Sequence, residues 1–320
     1  MSGPVGDGGG ERRPVATDPN DRQAEAEAAG LGGPAIDRDL PFDGHLHTEL
    51  SPDADVPIDA YAALAVERAI PEIAITDHLD FDPHAPAYRY ADYDRRLRYV
   101  RAAAERWAGR VTIRFGCEVT YDSRYEPEIA DHLRRHRYDF VIGSVHVYRG
   151  SPYDRRRVAS WIAGRRLEEI VAPYFGEVLR AARSGLFDAL GHLDFVKRYL
   201  FPYVRPAELT AAIELYDPIL RALVETGTAL EVNTSGLRQA PLETYPSPAA
   251  VRRFRELGGT RVTIGSDAHR NGSFAFGLAA GYRVAAESGL TALSGGRVAL
   301  GGWVEAPAGA VPNTADGRSL

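Results

Sequence analysis

Seven short apolar runs, rich in β-branched and aromatic residues, recur along the sequence, and amphipathic stretches with helical spacing lie between most of them. A parallel pair of strands needs a crossover connection, and a helix usually supplies it, so this alternation predicts an α/β fold with a parallel sheet. The runs cover residues 41–47, 72–78, 111–119, 138–146, 187–194, 229–235 and 261–269. The apolar pattern alone leaves open whether the sheet is open or closed into a barrel.

The placement of histidine favours the barrel. Six of the nine histidines follow or end a predicted strand, and they are distributed over most of the strands: His45, His47, His78, His146, His192 and His269. An open sheet concentrates its chemistry at one switch point, whereas a barrel gathers the carboxyl ends of all its strands into one ring. We therefore expect these side chains to meet at one end of a (β/α) barrel.

The composition divides the chain into one domain with two tails. Residues 1–36 and 303–320 are rich in Gly, Pro, Ala and charge and carry few large apolar side chains, which is typical of flexible segments. Residues 37–302 remain, a length close to the roughly 250 residues typical of a (β/α) barrel. The sequence thus predicts a single catalytic domain at 37–302.

Charge and cysteine content exclude several classes of function. The formal net charge is −6, which gives no electrostatic reason to bind long nucleic acid. No apolar run reaches the roughly 18 residues of a membrane-spanning helix, and the first residues lack the apolar core of a signal peptide. The one cysteine, Cys117, cannot form an internal disulfide. We expect a cytoplasmic protein with neither nucleic acid nor membrane as partner.

Two strand ends carry potential metal ligands two residues apart. His45 and His47 flank Leu46, and the alternation of a strand puts both imidazoles on the same face. Asp267 and His269 repeat this spacing after the last strand. Imidazole and carboxylate groups on a shared face are ligands that divalent transition metals accept. The sequence therefore predicts a metal site at the carboxyl ends of the strands.

Other strand ends add single ligands to this set, namely His78, Glu118, His146 and His192. Glu118 could bridge two ions, and by alternation its neighbour Cys117 points towards the helices as a small core residue. Asp53, in the loop after the first strand, could supply another oxygen ligand or form a turn after Pro52. In contrast, His132 and His136 stand beside three arginines that would repel a cation, so a solvated helix face is expected there.

Six ordered motifs resemble those of the PHP (polymerase and histidinol phosphatase) superfamily. They are HLHT at 45–48, ITDH at 75–78, GCE at 116–118, IGSVH at 142–146, GHLD at 191–194 and GSDAH at 265–269. Within the superfamily, the segments FDALGHLDFVKRY at 187–199 and EVNTSGLRQAPLETYPSP at 231–248 are most similar to the monofunctional histidinol-phosphate phosphatases. The resemblance spans residues 41–290.

The resemblance implies a distorted (β/α)7 TIM-like barrel with three divalent metal ions, which could be zinc, manganese or iron. It assigns His45, His47, Glu118 and Asp267 to one ion, Glu118, His78 and His146 to a second, and Asp53, His192 and His269 to a third. Glu118 would bridge the first two ions. The sequence leaves the identity of the metals and the oligomeric state open.

The implied reaction is hydrolysis of a small-molecule phosphate monoester, L-histidinol phosphate, by hydroxide formed at the metal centre. Lys197, Arg198 and Arg238 are candidates for phosphate binding, with ordinary surface charge as the alternative. Ser144 and Asn233, both near strand ends, are further candidates for substrate contact. Asp194, Asp267 or a histidine could protonate the leaving oxygen.

Three other functions remain open at this point. Another PHP phosphoesterase could act on nucleotide or sugar phosphates. An amidohydrolase also begins with His-x-His, but its bridging residue usually lies on the fourth strand, whereas Glu118 lies on the third. A PHP domain could also bind metal or a protein partner without catalysis, although all nine ligand positions here carry residues able to bind a metal.

Overall fold

The computed structural model describes residues 37–147, 150–297 and 303–305 of the chain. The strands are β1 (Asp43–Leu46), β2 (Glu72–Ile75), β3 (His78–Leu79), β4 (Thr112–Thr120), β5 (Phe140–Ser144), β6 (Ala189–Leu190), β7 (Ala229–Asn233), β8 (Arg261–Gly265), β9 (Thr291–Arg297) and β10 (Trp303–Glu305). Each of the seven predicted apolar runs contains a strand at its expected place. The predicted tail at 1–36 lies outside the described residues.

Helices connect the strands in the order that the amphipathic stretches predict. They are α1 (Ile58–Glu67), α2 (Tyr93–Arg106), α3 (Glu126–Arg135), α4 (Val158–Ile162), α5 (Leu167–Ser184), α6 (Lys197–Leu200), α7 (Pro206–Ala211), α8 (Asp217–Thr226), α9 (Pro248–Glu256) and α10 (Leu278–Glu287). Short 3-10 turns occupy Ser123–Tyr125, Ile213–Tyr216, Ser235–Arg238 and Asn271–Ser273.

Capping residues determine where several helices begin or end. The Asp92 carboxylate accepts a hydrogen bond from the backbone N–H of Arg95 and caps α2. Ser247 caps α9, whose first residue is a proline. Gly227 ends α8 with φ +72°, a torsion that glycine adopts without a steric cost. These caps fix where α2 and α9 begin and where α8 ends.

The sheet is parallel in the order β1-β2-β4-β5-β6-β7-β8, and β3 pairs with β4 beyond the end of β2. It closes between β1 and the segment after β8. A bridge joins Leu46 to Ala268, and the backbone N–H of His47 donates to the Ala268 carbonyl at 3.0 Å. The distorted seven-stranded barrel is therefore confirmed.

Two strands extend the sheet beyond the prediction. β9 pairs in parallel with the first residues of β8, and β10 returns antiparallel along β9. Trp303–Glu305, the first residues of the C-terminal tail predicted from residue 303, form β10, and residues 306–320 of that tail lie outside the described residues. The amino half of β8 thus has β9 as a neighbour, while the barrel closes against β1 at the other end.

The core lies in two regions. A large apolar cluster, which includes Cys117, fills the space between the strands and the surrounding helices. A smaller cluster of Phe42, Ala74, Phe140, Ile142, Ala189 and Ala229 comes from the strands and from the residue directly before β1. Cys117 is buried as a core residue, as the alternation predicts. Among the described residues, no helix has the length and apolar content to cross a bilayer.

Candidate metal centre

The nine predicted ligands gather at the carboxyl end of the barrel. The structure brings ligand atoms within 4.8 Å of one another in three overlapping groups: His45, His47 and Asp267; His78, Glu118 and His146; and His47, His78 and His269. Each strand delivers its ligand because the chain leaves the sheet there, so the side chains of different strands converge. His132, His136 and His84 lie outside these groups.

The deepest group joins the first and last strands of the barrel. The Nε2 atoms of His45 and His47 are 3.0 Å apart. Asp267 Oδ1 lies 3.8 Å from His45 Nε2 and 3.4 Å from His47 Nε2, and Glu118 Oε2 lies 3.5 Å from both nitrogens. The structure therefore brings together the four side chains that the resemblance assigns to one ion. His45, His47 and Glu118 are almost completely buried.

Glu118 lies at the centre of the cluster. Its Oε1 is 2.9 Å from His192 Nε2 and 3.5 Å from His146 Nε2, while its Oε2 is 2.8 Å from His78 Nδ1. The register of the sheet explains part of this contact, since β3 pairs His78 with Glu118. One carboxylate thus faces five histidines from four strand ends, a geometry suited to bridging ions.

The outer part of the cluster differs from the expected grouping. Asp53 Oδ2 lies 3.4 Å from His78 Nε2 and 3.4 Å from His269 Nε2. His192 instead packs against Glu118 and His146, and within the described residues no ion pair joins it to Asp53. Asp53 thus contacts His78 in place of the expected His192, while His78 also keeps its contact with Glu118 through the other ring nitrogen.

The hydrogen bonds leave ligand lone pairs directed into the cluster. His45 Nδ1 lies 2.6 Å from Glu231 Oε1, and since a carboxylate only accepts, that nitrogen carries the hydrogen. When the ring is neutral, its Nε2 therefore presents a lone pair towards His47 Nε2 and Glu118. Glu118 Oε2, although buried, accepts no hydrogen bond from any described residue. This set of nitrogen and oxygen donors fits a divalent transition metal.

The pKa values of Glu118 and His47 are shifted in the direction that metal binding requires, whereas those of His45, His78, His192 and His269 are raised, so these four rings release a proton when a metal binds. Burial would raise the pKa of Glu118, but the neighbouring His45 and His78 outweigh it and hold that pKa well below its usual range. Burial, with the adjacent His269 and His78, lowers the pKa of His47 well below the ordinary value. An ionised carboxylate and a neutral imidazole therefore face each other.

Comparison with known proteins agrees with this geometry. The family model described as the PHP domain matches residues 43–235. The chain belongs to the PHP domain family. We call the nine predicted ligands together the PHP centre. The match covers β1 through β7 and therefore includes seven of them, while Asp267 and His269 follow it in sequence.

Relatives of this PHP domain share most of its length. A probable histidinol-phosphatase from Deinococcus radiodurans is 32% identical over 251 residues, which are 74% of this chain and 89% of that protein. The histidinol-phosphatase of Bacillus subtilis is 26% identical over 262 residues, 73% of this chain and 95% of that protein. The crystal structure of the Lactococcus lactis histidinol phosphate phosphatase, complexed with zinc, L-histidinol and phosphate, superposes with a TM-score of 0.67 at 23% identity, covering 80% of this chain and 97% of that one.

Two of the predicted substrate residues lie near ligand residues: Ser144 precedes His146 by two positions, and the Phe195 ring separates Arg198 from His192. Ser144 Oγ is buried at the end of β5 and makes no hydrogen bond with any described residue. The Arg198 guanidinium lies 5.5 Å from the centre of the Phe195 ring, and that ring is 4.7 Å from the His192 ring. Their roles in substrate binding stay predictions.

The other predicted substrate and catalytic residues are held by protein groups. Lys197 Nζ is buried against Asp194 at 2.9 Å and Glu243 at 2.6 Å, and Asp194 also accepts from the Tyr216 hydroxyl. Arg238 donates to the backbone carbonyls of Ser266 and Asp267, both at 2.8 Å. Arg238 thus supports the loop of Asp267, a residue with φ +54°, which is uncommon outside glycine.

Sequence reasoning missed the buried carboxylates behind the ligands. Glu231 contacts His45 from β7. Asp77 accepts from the Thr48 backbone N–H at 2.6 Å and from Ser51 Oγ at 2.9 Å, so it holds the loop that follows His47. The signal for Asp77 was its place directly before His78, and the signal for Glu231 was its two-residue spacing from Asn233 on one strand face.

Proposed function

We propose that this protein is a histidinol-phosphatase, which hydrolyses L-histidinol phosphate to L-histidinol and inorganic phosphate. The observation that carries the proposal is the 32% identity with a probable histidinol-phosphatase over 89% of that protein's length. The cluster at the carboxyl end of the barrel supports it, since all nine predicted ligand positions hold histidine or a carboxylate and lie in one connected group.

We propose that the centre holds three divalent ions, with zinc, manganese and iron all compatible with the donors. His45, His47, Glu118 and Asp267 would form the deep position. Glu118, His146 and His192 would form a second, and Asp53, His78 and His269 the outer one. The contacts of Glu118 and Asp53 described above support this division.

The chain's own residues then bind the substrate and move protons. Bound divalent ions would neutralise the phosphate oxygens and lower the pKa of a water molecule that attacks phosphorus. Arg198, with its planar guanidinium, and the Ser144 hydroxyl are the proposed donors to the phosphate oxygens. Asp267 or Asp194, each present as a carboxylate, would first accept the proton that the attacking water loses and then pass it to the leaving alkoxide, with Lys197 holding Asp194 in place.

The surroundings proposed for this reaction follow from the sequence. A buried free thiol at Cys117 and an acidic net charge of −6 suit a cytoplasmic enzyme with a small anionic substrate and no nucleic-acid partner. Such a substrate is drawn to a positive metal centre despite the acidity of the whole chain.

The decisive measurement is kcat/KM for phosphate release from L-histidinol phosphate, compared with a nucleoside 3′,5′-bisphosphate and a sugar phosphate. We expect L-histidinol phosphate to exceed the others by at least about 100-fold, because a site with polar groups built for one substrate rejects analogues that leave those groups unpaired. The Glu118→Gln variant is the control for contaminating phosphatase and should lose the activity. Equal or better turnover of either alternative monoester would reject the proposed substrate.

A further inference from the structure

β7 is the barrel strand that carries none of the nine predicted ligands, yet its inward-facing polar residues lie directly behind them. Glu231 and Asn233, two positions apart, share one face of this strand and are both buried. Burying a carboxylate is costly unless hydrogen bonds replace its water. The contacts of Glu231 therefore show which groups keep it there.

Both oxygens of Glu231 accept hydrogen bonds. Its Oε1 takes the Nδ1 hydrogen of His45 at 2.6 Å. Its Oε2 takes the backbone N–H of His192 at 2.7 Å and the side-chain amide of Asn233 at 3.1 Å. One carboxylate thus contacts the ring of a ligand residue on β1 and the main chain of another after β6.

Asn233 extends this network to the last strand. Its Oδ1 accepts from the Ser235 backbone N–H at 3.0 Å and from Ser235 Oγ at 2.6 Å, which fixes the orientation of the amide. Its Nδ2 therefore points to the carboxylates, and it lies 3.1 Å from Glu231 Oε2 and 3.3 Å from Asp267 Oδ2. The amide leaves Asp267 Oδ1 directed towards His47.

We propose that Glu231, with Asn233 beside it, is the positioning residue of the centre and holds ligands from β1, β6 and β8 in the geometry that binds metal. The inference rests on the proposed metal-dependent function, although it does not depend on which phosphate ester is the substrate. Glu231 fixes the hydrogen of His45 on Nδ1, so Nε2 keeps its lone pair for the ion. It also fixes the main chain from which His192 extends.

Glutamine cannot replace this carboxylate, although it has the same size. Three donors point at Glu231, and an amide offers one acceptor oxygen and one NH2 group. If the amide oxygen faces His45, the NH2 group meets the N–H of His192 and the amide of Asn233. If the NH2 group faces His45, the imidazole hydrogen must move to Nε2, where it blocks the metal.

The test is the affinity of the full-length apoprotein for zinc and manganese, measured by competition with a chromophoric chelator. We expect Glu231→Gln to raise the Kd for at least one of the bound metal ions about 10- to 100-fold. This is the usual effect of removing the hydrogen-bond partner of a metal-binding side chain. The Tm of the variant in chelator should remain within a few degrees of wild type. Activity at saturating metal should recover part of its loss.

Glu72→Gln is the matched control, because it makes the same chemical change in a partly buried carboxylate at the amino end of β2. Glu72 pairs with Arg114 at 2.9 Å, far along the barrel from the ligands. This variant should bind every equivalent with the wild-type Kd. A loss of metal affinity in Glu72→Gln equal to that in Glu231→Gln would show a general effect of barrel stability and would overturn the proposal.

Other outcomes separate this inference from the proposed function. Wild-type Kd for all equivalents in Glu231→Gln overturns the positioning role, and so does a loss of Tm without a change in Kd. If that variant does not fold, Asn233→Ala decides by the same measurement, with a smaller rise in Kd expected and an unchanged Kd as the contrary result. A wild-type protein that binds metal but does not hydrolyse L-histidinol phosphate would reject the substrate and leave the role of Glu231 standing.

Discussion

At the residue scale, two glycines make room for the centre. A Cβ atom at Gly265 would lie 2.4 Å from His45 Cβ and 3.0 Å from Glu231 Oε1. One at Gly191 would lie 2.3 Å from Ser144 Oγ. The motifs GHLD and GSDAH each place a glycine before the ligand residues. A side chain from a neighbouring strand approaches the backbone closely at each glycine, so there is no space for a Cβ atom.

Replacing Gly265 by alanine should therefore damage the site. The new methyl group meets the Cβ of His45, which is fixed to the backbone of β1 and cannot rotate away. We expect a loss of about 1–3 kcal/mol in the free energy of unfolding, typical of overpacking, with weaker zinc binding. Urea unfolding in chelator and zinc titration measure the two effects.

Gly272→Ala is the control for this substitution. A Cβ at Gly272 has no described atom within 4 Å, so the free energy of unfolding should change by less than about 0.5 kcal/mol. Equal losses in the two variants would mean that the contact with His45 does not explain the glycine at 265.

At the element scale, two helices attach to the barrel through the same kind of hydrogen bond but at different places. The Tyr61 hydroxyl of α1 lies 3.0 Å from the His47 carbonyl and 2.9 Å from the Ala268 carbonyl. The Tyr282 hydroxyl of α10 donates to the Phe42 carbonyl at 2.8 Å. Both tyrosines are buried. Only the carbonyls near Tyr61 belong to segments that carry predicted metal ligands.

The variants Tyr61→Phe and Tyr282→Phe should separate stability from site geometry. Each removes a buried hydrogen bond and should cost about 1 kcal/mol of unfolding free energy. Tyr61→Phe should also weaken metal binding about tenfold, since the segments of His47 and Ala268 lose a shared partner. Chelator competition that gives both variants the same Kd would contradict the role assigned to α1.

The sequence predicted the strands and helices better than it predicted which side chains contact each other. Seven strands and the convergence of six histidines follow from periodicity, because alternation and strand ends are local properties. Glu231 was missed because a buried glutamate and an exposed one have the same local pattern, and its partner His45 lies 186 positions away. Lys197 was expected at the phosphate for a similar reason, since Glu243, which neutralises it, lies on a distant loop.

The grouping of the outer ligands was also beyond a sequence argument. Whether His78 or His192 joins Asp53 depends on the path of the loop after β1, which Asp77 holds through Thr48 and Ser51. β9 was missed because its sequence at 291–297 contains two glycines, a residue depleted in strands, and β10 was missed because it has only three residues. Pairing with neighbouring strands outweighed that weak propensity.

At the scale of the whole molecule, the free energy of unfolding should depend on pH through His132, which is not one of the predicted metal ligands. Burial, with the adjacent His136 and Arg135, lowers the pKa of His132 from 6.5 to about 4. The unfolded chain then binds more protons than the folded one between these values, so the folded state loses stability as pH falls from 6.5 towards 4. Its neutral ring stays beside the Tyr138 hydroxyl at 2.9 Å.

The variant His132→Gln should remove this contribution. We expect its free energy of unfolding in chelator to fall less than that of wild type between pH 7 and pH 5, while the titration of the metal ligands is common to both proteins. Urea unfolding at the two pH values gives the comparison. Parallel declines in the two proteins would exclude His132 as the source.

The closure of the barrel joins the first and last of its seven parallel strands with few backbone bonds. The Leu46–Ala268 bridge is supported by side chains, among them Asp43, which accepts from the Ser266 backbone N–H and hydroxyl. His45 and His47 stand on one side of this seam, and Asp267 and His269 stand on the other. An ion held from both sides would act as a cross-link between distant parts of the chain, reducing the freedom of the unfolded state much as a disulfide does. The metal centre would then also stabilise the closure of the barrel. Removing the ion should allow local unfolding to begin where β1 meets the segment after β8.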